Sequence, residues 1–417
     1  MKRPQASRTR SIIRSQLPAL AVTAGVFLIY WFSSPEPMAH FDYTYRIAEA
    51  LLHGRLGLTE PAPSWLNEMV QVGDRYYSVF PLGSVLSMIP LAVLKSLNVI
   101  EAFPARFVAA FLAATTALFF YLLSGKQQIT TLRRILLALF PVIGTWAWCN
   151  LAYGGAWQLA LGFALMGEAG ALYFTLVDRR PLLAGFFFAI AFGNRTEVLL
   201  VAPVFIHLWT REDPLKKDQG DLWTRLQAHR SEIIWLLAVP FVLGIATLAY
   251  NYARFGSIAD FGYMRIPQVA SEEYFKHGLF SPYSIPRNAK AMLFEGWKVA
   301  EQPPYLIPHG FGGSIFISCP LLLLLFRFRK RIRDWGLITA SWIAILVLTL
   351  ALWLHANPGG WQFSYRYGMI LLPWMFLILL INGKSKTSKL ELMLFLISVA
   401  INAYATYLFL WTDYVKP

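Results

Sequence analysis

Asp42, Glu168, Arg195 and Arg366 are ionisable residues standing in or beside long apolar runs of a chain otherwise poor in charge. Asp42 opens the segment HFDYTYRIAEALLHGRL. There Phe41, Tyr45, Ile47, Ala48, Leu51 and Leu52 share one helical face, as expected of a short amphipathic helix lying in a membrane interface. An acid at its start either caps the helix and favours its dipole, or serves as a base held at the membrane surface. Arg366 lies in HANPGGWQFSYRYGMILLPW among Trp361, Phe363, Tyr365 and Tyr367. It either snorkels or grips a phosphate at headgroup depth, and the forked guanidinium with glycines nearby favours phosphate. Glu168 and Arg195 sit deep in consecutive apolar runs, with Glu197 close by. Opposite charges so placed predict an ion pair that fixes packing, or a charged cavity wall with Arg195 as an anion site.

Two further stretches carry polar chemistry. In NYARFGSIADFGYMRI, the residues Asn251, Arg254, Asp260, Tyr263 and Arg265 alternate with aromatics and glycines. That mixture suits a sugar, which offers C–H faces and many hydroxyls, or else an interface-lying loop. Gly73-Asp74 marks a turn, after which Tyr76, Tyr77 and Phe80 precede Pro81. Glu272, Glu273 and His277 read as solvated surface.

The elements that must position these groups can be read from composition. The chain has 417 residues, 57% hydrophobic and only 14% charged. Soluble domains run near 25% charged, so a soluble globular enzyme and a disordered chain are both excluded. An all-α polytopic membrane protein remains. Its net charge of +14 is explained by basic cytoplasmic loops meeting anionic lipid rather than by nucleic acid. The two cysteines, Cys149 and Cys319, form neither a disulfide framework nor a zinc spacing.

Apolar runs long enough to span predict about eleven transmembrane helices. They cover 17–32, 80–97, 104–123, 135–151, 157–177, 182–209, 233–250, 311–326, 337–354, 368–381 and 390–411. The basic N-terminus lacks a small-x-small site before His40, so the first run reads as an uncleaved anchor. Basic residues in loops 210–231, 327–333 and 382–389 put those loops in the cytoplasm, the N-terminus inside and the C-terminus outside. RFRKRIR at 327–333 is the strongest such signal. Lys126, Arg133, Arg134, Arg179 and Arg180 then fall on the wrong side. The expected organisation is an N-terminal transmembrane module, 1–250, with a catalytic first outer loop at 33–79. A second outer loop covers 251–309, and C-terminal helices, 310–417, carry a short outer loop at 355–366. Both long loops are expected to carry short interfacial helices.

No HExxH, paired CxxC, Asp-x-Asp, GxGxxG, Walker loop or GxSxG is present, so no metal or other cofactor is expected. Taken in order, several stretches make the chain resemble the GT-C superfamily of polytopic glycosyltransferases, which includes protein O-mannosyltransferases and the aminoarabinose transferase of lipid A. Asp42-x-x-Tyr45-x-x-Ala48 is similar to that family's first-loop acidic motif, and Tyr77 to Gly83 to the start of its second helix. Gly193 to Glu197 resembles its small-x-Arg-Pro-Glu stretch, with Thr196 in place of proline. Asn251 to Tyr263 resembles a segment of many bacterial members, and Gly360 to Pro373 the aromatic-Gly-Pro-Arg-Tyr stretch, with Ser364-Tyr365 where Gly-Pro is common. One departure matters: Tyr43 follows Asp42 where the family pairs Asp with Glu, so a second acid must come from elsewhere.

The resemblance implies a polyprenyl-phosphate sugar as donor. It implies inverting transfer to a saccharide, lipid or protein acceptor on the outer face of the cell membrane. Asp42 would be the base and Arg366, with Arg195, would hold the donor phosphate. Tyr45, Tyr77, Arg254, Tyr263 and Tyr365 are the expected substrate-binding residues. The reading from a different class is a transporter or flippase of a lipid-linked saccharide, using the same charged cavity without a base.

Overall fold

The computed structural model describes residues 5–35, 41–61, 63, 66, 68–211, 221–267, 269–327 and 334–415. The basic run after Arg327 and the Lys216–Lys217 segment lie outside the described residues. The chain folds as helices α1 Gln5–Ser33 and α2 Tyr43–Leu52, a hairpin of β1 Met69–Val72 and β2 Arg75–Ser78, then α3 Leu82–Leu86 and α4 Ile89–Ser96. Next come α5 Ala105–Leu123, α6 Thr131–Ile143, α7 Ala147–Ala152, α8 Ala156–Leu176, α9 Pro181–Asn194, α10 Ala202–Thr210, α11 Leu222–Ala228 and α12 Arg230–Phe255. The remainder holds α13 Ile285–Leu293, short strands β3 Lys298–Val299, β4 Leu306–Ile307 and β5 Phe311–Gly312, α14 Ile315–Ser318, α15 Trp335–Leu354, β6 Gln362–Phe363, α16 Leu372–Asn382 and α17 Lys389–Leu410. Three tight 3-10 segments, Thr196–Val201, Pro320–Phe326 and Arg366–Leu371, lead into or continue these helices.

Six helices are long and apolar enough to cross a membrane, within Gln16–Ser33, Ala105–Lys126, Ala156–Leu176, Arg230–Phe255, Trp335–Leu354 and Lys389–Leu410. By length and composition they mark a helical membrane protein. Local sequence sets their ends. Asp334 accepts from Leu337 N at 3.0 Å and starts α15. Ser388 and Glu391 close a capping box at α17. Gly256, at φ +73°, ends α12. One apolar core joins helices from both 1–250 and 310–417, and the largest side chains sealed in it include Trp146, Trp209 and Trp374. Outward faces carry Leu20, Phe241, Leu346 and Leu396, as a lipid-facing rim requires.

Hydrogen bonds define two ends of the bundle. At one, Thr130 N donates to Ser385 O at 2.9 Å and buried Arg133 binds Glu391 at 3.1 Å. Lys126 reaches Leu176 O, Arg179 Nη2 donates to Trp209 O at 2.8 Å, and Arg211 binds Asp334 at 2.7 Å. The basic residues at Lys126, Arg133, Arg134, Arg179 and Arg180, out of place in the sequence-based count, therefore lie together with loops 210–231 and 382–389. At the opposite end, Ala156 N donates to Phe41 O at 2.9 Å, Trp411 Nε1 to Ser33 O at 3.0 Å and Asn194 Nδ2 to Ser87 Oγ at 2.9 Å.

Two expected spans are corrected by these contacts. Residues 80–97 do not run from end to end. They break into α3 and α4, five and eight residues long, too short at 1.5 Å per residue for a core about 30 Å thick. Lys95 Nζ binds Glu49 at 2.7 Å, so α4 stays beside α2 at the end away from the basic loops. Conversely, 182–209 is no single helix. It breaks at Arg195, whose backbone is extended (φ −136°, ψ 98°), into α9 and the returning segment that ends in α10. The expected amphipathic helix at Tyr43–Leu52 is present, and its buried face packs on α3 and α4.

Candidate active site

Several elements at the end away from the basic loops deliver polar groups to one place. The hairpin turns at Gly73, whose φ of +63° is the left-handed region that favours glycine. Its register, Met69 opposite Ser78, sets Glu68 just ahead of β1, where the Glu68 carbonyl accepts from Val79 N at 2.9 Å. On the far side, β6 pairs in parallel with β5, and Asn150 holds Phe363 through both its N–H and its carbonyl, at 3.3 and 2.8 Å. The chain then reverses at Ser364, with φ +54°, and Gln362 Oε1 accepts from Arg366 N at 3.0 Å. These bonds fix the direction in which Arg366 leaves the backbone.

At the centre is the Tyr367 ring. The Arg195 guanidinium lies over it at 4.5 Å and that of Arg366 at 5.2 Å. Arg195 is further held by Glu197 Oε1, at 2.8 Å from Nε and 2.5 Å from Nη2. Arg366 is 7% exposed, donates from Nη1 to Trp361 O at 3.1 Å, and keeps a buried Nε with no partner. Around it stand Glu68, Tyr43, Tyr153 and Tyr263, all within its electrostatic reach. Burial lifts the Glu68 carboxyl above the usual carboxylate range, and Arg366 draws it partly back. Tyr43 is buried between Phe80 and Trp157, its hydroxyl without a partner. His355 Nδ1 donates to Asn357 O at 2.8 Å, and burial, reinforced by Arg195, holds this imidazole below its ordinary value. Its ring meets those of Tyr263 and Tyr367 edge-on.

The expected residues divide against this centre. Asp42 precedes α2 but makes no capping bond; its Oδ1 accepts from Arg46 Nε at 2.9 Å and its side chain is a quarter exposed. It stands between Phe41, packed on Tyr153 and Trp157, and Tyr43. The carboxylate therefore shares the end of the bundle that holds Arg366. Tyr263 belongs to the centre. Tyr77 is half-buried on the hairpin against Phe255. Three expected binders face protein instead. Arg254 is buried; it donates to Ser78 O and, at 2.8 Å, to Asn251 Oδ1, and stacks on Tyr250 at 3.8 Å, so it clamps the hairpin. Tyr45 packs on Phe103 and Lys95, away from the guanidiniums. Tyr365 is fully buried, its hydroxyl donating to Leu352 O at 3.3 Å.

The expected Glu168–Arg195 pair is not formed. Glu168 Oε1 accepts from Trp374 Nε1 at 3.0 Å, while Arg195 turns to Glu197. The break between α9 and α10 is the reason: extended backbone at Arg195 and the tight 3-10 turn after it let the guanidinium fold onto Glu197. Sequence reading missed Glu68, Tyr43, Tyr153, His355 and Tyr367 as members of the centre. Glu68 looked like one more loop acid, and its one sequence signal is that it directly precedes a hairpin. No family model, curated protein or solved structure matches this chain.

Proposed function

We propose that the protein is a membrane-embedded inverting glycosyltransferase that takes its sugar from a polyprenyl-phosphate donor. The observation that carries this reading is the pair of guanidiniums, Arg195 and Arg366, on one tyrosine ring beside a half-buried carboxyl, at the end of the bundle away from the basic loops. By the positive-inside rule the basic end is cytoplasmic and the centre faces outward. Removing 80–97 from the spans and splitting 182–209 leaves about eleven passes, N-terminus inside and C-terminus outside, with every basic loop on one side.

The residues divide the reaction between them. Asp42 takes the proton of the acceptor hydroxyl as that oxygen bonds to the anomeric carbon. The bond from this carbon to the phosphate oxygen breaks, and the phosphate leaves with the electron pair. Arg366 and Arg195 neutralise the departing charge, about 3 kcal/mol for each well-placed donor. Glu68, whose carboxyl desolvation shifts toward the protonated form, donates to a phosphate oxygen and supplies the second acid missing beside Asp42. Two carboxyl groups in unlike environments take opposite roles. A lipid-carried donor also makes a nucleotide loop unnecessary.

The test is transfer of labelled sugar from polyprenyl phosphate in proteoliposomes. D42N should abolish transfer and retain donor binding, and R366A should lower transfer about 100-fold. Unchanged turnover in D42N, or donor translocation without transfer in the wild type, would overturn the assignment.

A further inference from the structure

A second polar site lies at the basic end. The end of α16, the start of α17 and the 3-10 turn Pro320–Phe326 leave a cleft between them, walled by Leu324 and lined by Arg327, Asn382, Lys384, Ser388 and Glu391. The enclosed space is about 30 Å³, room for an oxygen-sized group rather than a whole small molecule. Asn382 is 5% exposed, yet neither its amide nitrogen nor its carbonyl oxygen has a partner. Buried amides are nearly always satisfied, so this one has donor and acceptor capacity free for a group that enters the cleft.

The charges around it favour an anion. Among the described residues, the exposed Arg327 and Lys384 side chains have no hydrogen bond or ion pair. The one acid, Glu391, is already engaged by Arg133 at 3.1 Å and by Ser388 N at 3.4 Å. The same Ser388–Glu391 box closes the α17 N-terminus, so the site does not rest on a helix dipole. Outside the cleft, the same 3-10 turn and α17 expose Leu323, Met393 and Leu396, which suit acyl chains.

We propose that this cleft binds the phosphate headgroup of an anionic membrane lipid. Arg327 and Lys384 take phosphate oxygens at the rim, and the Asn382 amide donates to an oxygen inside. The site is separate from the Arg366 centre and stands whether or not that centre transfers sugar.

The experiment is thermal unfolding of the full chain in phosphatidylcholine nanodiscs with increasing phosphatidylglycerol. The wild-type midpoint should rise with phosphatidylglycerol. N382L, which replaces an orphan amide by an apolar group of similar size, should be at least as stable as wild type in phosphatidylcholine yet lose most of that rise. R327Q/K384Q should weaken the response roughly fivefold for each charge removed. R230Q, an exposed arginine at the same end but outside the cleft, should respond as wild type does. An equal rise with inorganic phosphate in phosphatidylcholine discs would replace the lipid by a free anion. Wild-type responses in both cleft variants, or an equal loss in R230Q, would remove the site.

Discussion

Burial of the Glu68 carboxyl, only partly offset by Arg366, makes its proton harder to release than that of a solvated glutamate. Between the ordinary value and the raised one, the folded chain holds a proton that the unfolded chain has released. Stability therefore falls as pH rises through that window, and the fall ends above the raised value. E68Q should flatten this slope, measured as the unfolding midpoint against pH. If Glu68 donates to the leaving phosphate, the same change should lower transfer by 10²- to 10⁴-fold and remove the alkaline decline from the residual rate. An unaltered pH profile in E68Q would exclude it as the acid. Arg366 was singled out in the sequence because it stands beside an apolar run, where charge is costly, and the fold places it at the centre. Glu68 and Tyr43 were not: nothing local separates them from ordinary loop residues, and only the folded hairpin and α2 bring them to Arg366.

Short helices, rather than spans, position the centre. α3 meets α9 through Gly83 and Gly193, so closely that a Cβ on Gly83 would lie 2.4 Å from the Gly193 backbone. Asn194 and Ser87 bond across the same contact at 2.9 Å, one residue before Arg195. G83A must push α3 away from the break that presents Arg195. The expected cost is about 1–3 kcal/mol of stability, as for other overpacked contacts, with sugar transfer lowered more than protein yield. Wild-type transfer in G83A would show that α3 does not set the Arg195 geometry. The amphipathic α2 was legible from its periodicity. The division of 80–97 and 182–209 was not, since hydropathy averages over a window and sees neither the break near Ser87 nor the one at Arg195. The basic residues out of place in the sequence-based count fit these two breaks, since Lys126, Arg133 and Arg179 all bond at the end that holds residues 382–391 and 209–211.

Across the whole molecule, the arrangement of the ends can be read chemically. Cys149 and Cys319 are buried, so the native chain gives a low background for thiol reagents. In sealed vesicles of known orientation, K95C should react with an impermeant maleimide from the face opposite to that which labels S385C. Labelling of both from one face would restore 80–97 as a span. The helical class with long apolar helices was legible from composition alone. The meeting of hairpin, α12 and the segment around Arg366 was not, because it depends on partners far apart in the chain. Arg254 gives that meeting a mechanical consequence. Its grip on the Ser78 carbonyl ties the last turn of α12, and with it the start of the long segment from Gly256, to the strand behind Glu68. A displacement of either loop is thus passed to the other through one side chain, so the two behave mechanically as a single piece.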